Sequence, residues 1–480
     1  MKSKRISRRH MCYVGIAINM IYFGLITYCE FFANVMHHSE QSFYKRLQKF
    51  VTETSVEFET NQIGNKAART VINILDYGAI GDNKTDCTMA IRSAIEAVHA
   101  KGGGEVLIPM GGVFKTGPFN LTSNLVFRVE GTLFGISDQY AFPAVPALPS
   151  YGRCADMKGK FRRHPFVNAY HENNITIRGH GTIDGGGWYW YPFFFNFTAA
   201  HNIGRPHLME LNNCTNIEIT EVTLKDSAFW TLHPVYSRDL YIHHIKILAP
   251  SCRNYRCANT DGIDIDSCEN VLVEYNQIDV GDDHVTVLAG KLRKGRAPPC
   301  RNVTVQHNTL LRGMGLSIGS STAGGISDVL YYNNTMTQEI KTQMGQGIHI
   351  KLRDRFGGYV RNVAWIDNVF HVAGKPGGAI VFECGYQPGQ WKPCTSETCP
   401  EVRDIVVRNL IVEIANPGTI ACYAQRPCVN ITFENVHFQD SNARIQCDNV
   451  LSGSLVNNSP PELFDACVPN LTKSNHAIWK

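Results

Sequence analysis

Short β-branched runs recur along most of the chain, each bounded by Gly, Asn or Asp. They include Asn174-Ile-Thr-Ile-Arg178, Asn216-Ile-Glu-Ile-Thr220, Leu240-Tyr-Ile-His-His244, Asn270-Val-Leu-Val-Glu274, Asn302-Val-Thr-Val-Gln306, Val329-Leu-Tyr-Tyr332, Asn362-Val-Ala-Trp365, Ile405-Val-Val-Arg408 and Asn430-Ile-Thr-Phe433. Apolar positions alternate within them, the period of a strand that turns one face to a core. Successive runs are mostly spaced by about 21 to 35 residues, a period that signals a solenoid. A leucine-rich array is excluded because Leu-x-x-Leu-x-Leu is absent, and a propeller needs four strands per blade at a longer repeat. The pattern predicts an all-β fold, a right-handed parallel β-helix forming a single elongated domain over 70–480. Helical periodicity is concentrated near Thr88 to Ala100, in Ala90-Ile91, Ala94-Ile95 and Val98. This predicts a helix placed to cap one end of the coil.

The first 69 residues read differently. Residues 1–10 carry Lys2, Lys4, Arg5, Arg8 and Arg9 with no acid, and predict a basic cytosolic end. The apolar run Met11 to Cys29, broken by Gly15, Asn19 and Gly24, is just long enough to span a bilayer. Segment 11–29 is therefore a signal anchor or a signal peptide, with the anchor favoured because the run exceeds a usual signal core. Residues 30–69 are polar, lack a core pattern and read as a stem or linker. Either N-terminal reading sends the body into the secretory pathway, to the cell exterior or wall, with or without a single-pass membrane anchor.

Composition sharpens the compartment and narrows the partners. The formal charge of +4 rests on the N-terminal cluster: beyond it stand 41 basic against 42 acidic residues. Such a near-neutral body lacks the basic footprint of a nucleic-acid binder. Sequons begin at Asn83, Asn120, Asn174, Asn196, Asn213, Asn302, Asn333, Asn430, Asn457 and Asn470, which marks a glycoprotein. Of 16 cysteines, 14 follow the apolar run, an even number suited to an oxidising compartment. Cys252/Cys257, Cys394/Cys399 and Cys422/Cys428 read as loop-closing disulfides. No cysteine or histidine cluster has zinc spacing, so no metal or cofactor is expected.

Candidate chemistry lies in two consecutive repeats, Asn259-Thr260-Asp261-Gly262-Ile263-Asp264 and Gly281-Asp282-Asp283-His284. One repeat per turn puts Asp261 and Asp282-Asp283 on adjacent rungs, about 4.8 Å apart in a parallel ladder. Crowded carboxyls drive each other's pKa values apart, making an acid and a base from one residue type. Glycosidic hydrolysis needs that division.

These motifs resemble the polygalacturonase-like family, glycoside hydrolase family 28 of the pectin lyase-like superfamily. The resemblance begins at Asp76-Tyr77-Gly78-Ala79-Ile80-Gly81-Asp82 with Thr85-Asp86. It continues through Asn259-Thr260-Asp261, Gly281-Asp282-Asp283, Gly313-Met314-Gly315 and Ile350-Lys351, ending near Gly357-Gly358-Tyr359. It implies inverting hydrolysis of α-1,4-linked galacturonan in pectin. Asp282 takes the acid role, while Asp261 and Asp283 orient and deprotonate water. The substrate is bound by Lys351, His349, Asn259 and Trp188, and the implied protein is a monomer.

Two positions depart from the family pattern. Met314 stands where a His commonly holds the acid's geometry and proton state, and His284 is a candidate substitute. His349-Ile350-Lys351 replaces Arg-Ile-Lys, and His349 lacks the guanidinium fork for a substrate carboxylate, though a protonated imidazole partly replaces it at acidic pH. These departures also fit a subgroup of the family. Two alternatives follow: a weakly active or non-catalytic pectin-binding wall protein, and a hydrolase acting on rhamnogalacturonan or xylogalacturonan. A lyase with calcium held by Asp261, Asp264 and Asp266 is a third reading. Exposed rings such as Trp188 and Trp230 suit stacking on sugar faces, and Arg205-Pro206-His207 resembles a family stretch without an evident role.

Overall fold

The computed structural model describes residues 70–151, 161–195, 204–249, 258–290, 298–338, 346–354, 356–372, 377–386, 394–413 and 416–474. The segments 1–10, 11–29 and 30–69, the Cys252/Cys257 pair and the sequon at Asn196 lie outside the described residues. No helix among the described residues is long and apolar enough to cross a membrane.

The chain winds as a right-handed parallel β-helix, most coils contributing three short strands. A typical coil comprises Asn173–Arg178, Thr182–Asp184 and Met209–Asn212, each pairing in parallel with its counterpart one coil away. One face is an 11-stranded sheet of Phe119–Asn120 (β1), Val167–Tyr170 (β2), Met209–Asn212 (β3), Leu232–Val235 (β4), Ile263–Asp266 (β5), Val285–Leu288 (β6), Leu316–Ser320 (β7), Gln346–Leu352 (β8), Gly378–Cys384 (β9), Gly418–Ala421 (β10) and Gln446–Asp448 (β11). The remaining solenoid strands form a larger parallel sheet that folds around the other faces.

Side-chain alternation turns this register into rows. One row, in register from β2 to β9, reads Val167, Met209, Leu232, Ile263, Val285, Leu316, Ile348, Ile380, all fully buried in the core. Burial of each such side chain contributes about 1.5–3 kcal/mol. The adjacent row points the opposite way. It runs Asn168, Glu210, His233, Asp264, Thr286, Ser317, His349, with the Leu232–Ile263 and Val235–Asp266 pairs setting His233 beside Asp264.

The asparagines that open many of the apolar runs have a shared cause. Asn174, Asn216, Asn270, Asn302, Asn362 and Asn430 all have φ between 53° and 57°, a left-handed conformation that Asn tolerates better than most residues. Their amides stack along the helix, as in Asn216 Nδ2 to Asn174 Oδ1 at 2.8 Å and Asn302 Nδ2 to Asn270 Oδ1 at 2.7 Å. A second ladder is buried. Asn276, Asn308 and Asn334 each donate Nδ2 to the Oδ1 of the next, ending at Asn368, at 2.9 to 3.0 Å.

Helix α1 (Thr88–Ala100) follows the predicted span and buries Ala90, Ile91, Ala94, Ile95 and Val98 in the core beside the first coil. Cys394–Cys399 and Cys422–Cys428 are disulfides as expected, and Cys447–Cys467 adds a third. Cys87, Cys214, Cys268, Cys300 and Cys384 are free thiols, four of them buried. Here cysteine serves as a small core residue.

Candidate active site

Three carboxyls converge where β5 and β6 begin. Gly262 N–H donates to Asp283 O at 2.8 Å, tying the Asp261 turn to the Asp283 turn one coil away. Oxygens of Asp261, Asp282 and Asp283 all lie within 4.8 Å of one another. Asp283 Oδ1 accepts from Ser317 Oγ at 2.8 Å, and its Oδ2 is ion-paired with Lys351 Nζ from β8. Asp282 Oδ2 accepts from Asn259 N–H at 2.9 Å, and its Oδ1 from Asp283 N–H at 3.0 Å.

Burial, then the Asp283 charge, pushes Asp282 up to about 6, against Lys351 and the two backbone donors. Burial and then Asp282 drive Asp261 well above the ordinary carboxyl range, and its Oδ1 is buried without a hydrogen-bond partner. Asp264 behaves likewise through burial and Asp283, with both oxygens unpartnered. It is a fourth carboxyl that the spacing of the motifs did not single out for catalysis. Burial alone would depress Lys351, but Asp283 outweighs it and raises the ammonium's pKa. Lys351 thus places the cluster's fixed counter-charge on Asp283.

The calcium trio does not assemble. Asp266 accepts from Ser267 Oγ at 2.8 Å and Gly290 N–H at 3.1 Å and lies 3.7 Å from His233. Lys351 supplies the cationic charge beside the other carboxyls.

The third motif acts through its backbone. Met314 N–H donates to Asp282 O at 2.8 Å, a bond that any side chain permits. Gly313 packs on the His284 ring: a Cβ there would sit 2.7 Å from its Nε2. His284 is fully buried, takes Gly315 N–H on Nδ1 at 3.0 Å and faces Leu311 O from Nε2 at 3.2 Å. Burial lowers it to about 4, leaving a neutral spacer between turns. Its two ring-nitrogen contacts run to the backbone of Leu311 and Gly315.

Asn259 sits in a left-handed turn, φ 62°, with its side-chain Oδ1 3.2 Å from Arg205 Nη2. Its two named contacts therefore run to Arg205 and Asp282, within the protein.

His349 and Lys351 point to the same side of β8. His349 is 3% exposed, 3.5 Å from Glu383, and burial, its largest influence, lowers its pKa. That desolvation works against the protonated imidazole, while Glu383 and Asp283 favour it. Tyr386, past the end of β9, lies under two cations: Lys351 Nζ is 5.8 Å and Arg353 Cζ 5.7 Å from its ring centroid. Neither Tyr386 nor Arg353 belongs to a motif. Continuing the coil register one rung beyond Lys351, to Glu383, is the signal that finds this corner.

Trp188 is 53% exposed on a short helical turn, its ring edge against Tyr191 at 5.7 Å. Trp190 in the same turn is a core residue. Trp230 stacks with His207 and Phe229, at 5.3 Å from each.

Beside these rings lies a buried polar knot that sequence reading missed. Arg162 grips Glu210 with two bonds of 2.7 and 2.6 Å, and Glu210 also faces His207 at 3.2 Å and His233 at 3.4 Å. Burial lowers His207 to about 4. His233 is depressed by burial but raised on balance by Asp266 and Glu210. Arg162 already supplies the cation that Glu210 needs, so a metal ion is superfluous there.

Comparison with known proteins gives a consistent picture. The profile of a family described as Glycosyl hydrolases family 28 matches residues 102–456. A probable polygalacturonase of Vitis vinifera is 34% identical over 294 residues, 58% of this chain and 58% of that protein. The chain thus spans little more than half the length of this relative. An endo-polygalacturonase of Pectobacterium carotovorum subsp. carotovorum is 27% identical over 369 residues, covering 74% and 85% of the two chains. Among solved structures, an exopolygalacturonase of Thermotoga maritima aligns with a TM-score of 0.65 at 25% identity, over 80% of this chain and 90% of its own. The polygalacturonase of Erwinia carotovora ssp. carotovora gives 0.63 at 23%, over 82% and 98%, a likeness of fold.

Proposed function

The chain belongs to the glycosyl hydrolases family 28, and from that premise we propose that it hydrolyses α-1,4-galacturonosyl linkages of pectic polysaccharide, with Asp282 as general acid. The observation that carries this reading is the unequal treatment of three neighbouring carboxyls. Asp282 is raised to about 6, so it holds a proton in mildly acidic solution and can pass it to the leaving oxygen. Asp283 faces the ammonium of Lys351, which stabilises a carboxylate that can take a proton from water. Asp261 completes the water's surroundings. Burial and Asp282 disfavour its anion, so Asp283, paired with Lys351, is the principal base.

Lys351 and the adjoining Arg353 offer positive charge for a uronate carboxyl, and the Tyr386 ring between them offers a face for the sugar. Exposed Trp188 is a second stacking surface. The predicted signal anchor or signal peptide, the polar stem and a monomeric 70–480 solenoid complete the proposal, which puts the body on the secretory route.

Inversion is the expected stereochemical outcome, with water approaching beside Asp261 and Asp283. Proton NMR of the first-formed reducing end distinguishes α from β product. Asp282→Asn, with folding checked by circular dichroism, tests the core assignment: reducing ends should cease to appear from polygalacturonate, and undiminished release refutes it.

A further inference from the structure

Met314 meets Asp282 at its backbone carbonyl, and the Asn259 turn supports the Asp282 carboxyl itself. Arg205 is almost fully buried, and its guanidinium spans two successive turns. Nη1 donates to Ala228 O at 3.0 Å and to Ala258 O at 2.8 Å, and Nη2 donates to Asn259 Oδ1 at 3.2 Å. Its Cζ also lies 5.1 Å from the Phe229 ring centroid, which limits its freedom to swing. The Ala258–Asn259 turn it grips is the turn whose backbone N–H reaches Asp282 Oδ2 at 2.9 Å. That turn is left-handed at Asn259 and needs outside bonds to keep its N–H aimed.

We propose that Arg205 is a positioning residue for the acid: by fixing the Asn259 turn it holds that N–H on Asp282 and thereby sets the carboxyl's proton affinity and direction. The inference rests on the assignment of Asp282 as the titrating acid, but its physical content is independent of substrate. A hydrogen bond from N–H to a carboxylate stabilises the ionised form, so loosening it makes the acid weaker. The planar fork matters because its two terminal nitrogens reach acceptors in two turns at once, whereas an ammonium donates from a single point. Arg205 thus acts through Asn259 and touches no reacting atom.

The test combines Arg205→Met, Arg205→Lys and Asn259→Gly. The glycine keeps the left-handed backbone and its N–H but removes the oxygen that Arg205 holds. Protonation of Asp282 is followed by pH-difference infrared spectroscopy, its band identified by disappearance in Asp282→Asn. The midpoint should rise by about half a unit to one unit in Arg205→Met and in Asn259→Gly, with little further change when both are combined. In activity assays the alkaline limb should move upward by the same amount, with kcat falling about 10-fold or more and KM within twofold. Arg205→Lys should recover only part of the native midpoint.

An unmoved midpoint in folded Arg205→Met overturns the proposal. So does a native midpoint in Arg205→Lys beside a shifted one in Arg205→Met, because charge alone would then suffice. If Arg205→Met fails to fold, Asn259→Gly decides by the same criterion. A native protein that releases no reducing ends from any pectic substrate rejects the proposed function, while the infrared midpoint still decides the role of Arg205.

Discussion

Lys351 and Asp283 form an ion pair in the interior of the carboxylate cluster, with the two side chains 11% and 2% exposed. Lys351→Met leaves Asp283 as a buried charge without its partner, a change that costs about 3–5 kcal/mol at neutral pH. The penalty should shrink at pH 4, where an unpaired buried carboxyl takes up a proton instead. Native Lys351 has its pKa raised, so its own contribution is complete far below pH 10 and is not the source of that change. Thermal unfolding at pH 7 and pH 4 measures the difference, and equal penalties at both reject the pair's role.

Asp282 makes stability and activity run in parallel with pH. Its ordinary value is 3.8 and its folded value about 6, so the folded chain binds the proton more tightly. Where the folded state binds more protons, stability falls as pH rises, here across roughly pH 4 to 6. Asp282→Asn should therefore be more stable than the native protein at pH 7, by about 1–3 kcal/mol, and nearly equal at pH 3.5. Native hydrolysis should decline as pH rises above about 6. A native protein whose melting temperature exceeds that of the variant at pH 7 contradicts the first expectation.

His349→Arg places a guanidinium fork beside Lys351. The substituted guanidinium can pair with Glu383 or with a bound uronate. Should the uronate win, KM for polygalacturonate falls about tenfold while methyl-esterified substrate is unaffected. A KM unchanged on both substrates shows that Glu383 captures the new charge.

The buried asparagine ladder is a stability element separate from catalysis. In Asn308→Ala, Asn276 N–H and Nδ2 lose the Oδ1 they share at 3.0 Å, and Asn334 Oδ1 loses a donor at 2.9 Å. Several buried polar groups left unsatisfied cost about 3 kcal/mol. Urea unfolding should show this loss with kcat per folded molecule unchanged. A change below about 0.5 kcal/mol places the ladder's strength elsewhere.

The sequence made the coil legible because strand period and repeat period are both written in residue spacing. The 22-residue step from Asp261 to Asp283 is also the step from Ile263 to Val285 in the paired strands. Motif spacing therefore gave the correct rung for every carboxyl it considered. It was silent on depth. The resemblance puts His349 at a basic position, and burial lowers its pKa, an influence that motif spacing does not carry. Tyr386 reaches Lys351 from beyond the next strand, a contact no local motif encodes. Arg205 was visible as part of a motif, but its targets lie 23 and 53 residues further on. Among the described residues Cys268 and Cys300 pack in the core as thiols, a role that cysteine count alone does not reveal.

The row from Asn168 to His349 takes one residue from each coil, and strand pairing alone fixes its order. Loop length does not enter that order, and lengthening a surface loop costs only about 0.6 kcal/mol per doubling. Surface loops can therefore change in length without reordering that row. A single-residue insertion inside β5 or β6 has the reverse effect: it inverts the strand's faces and sends Asp264 or Thr286 into the core.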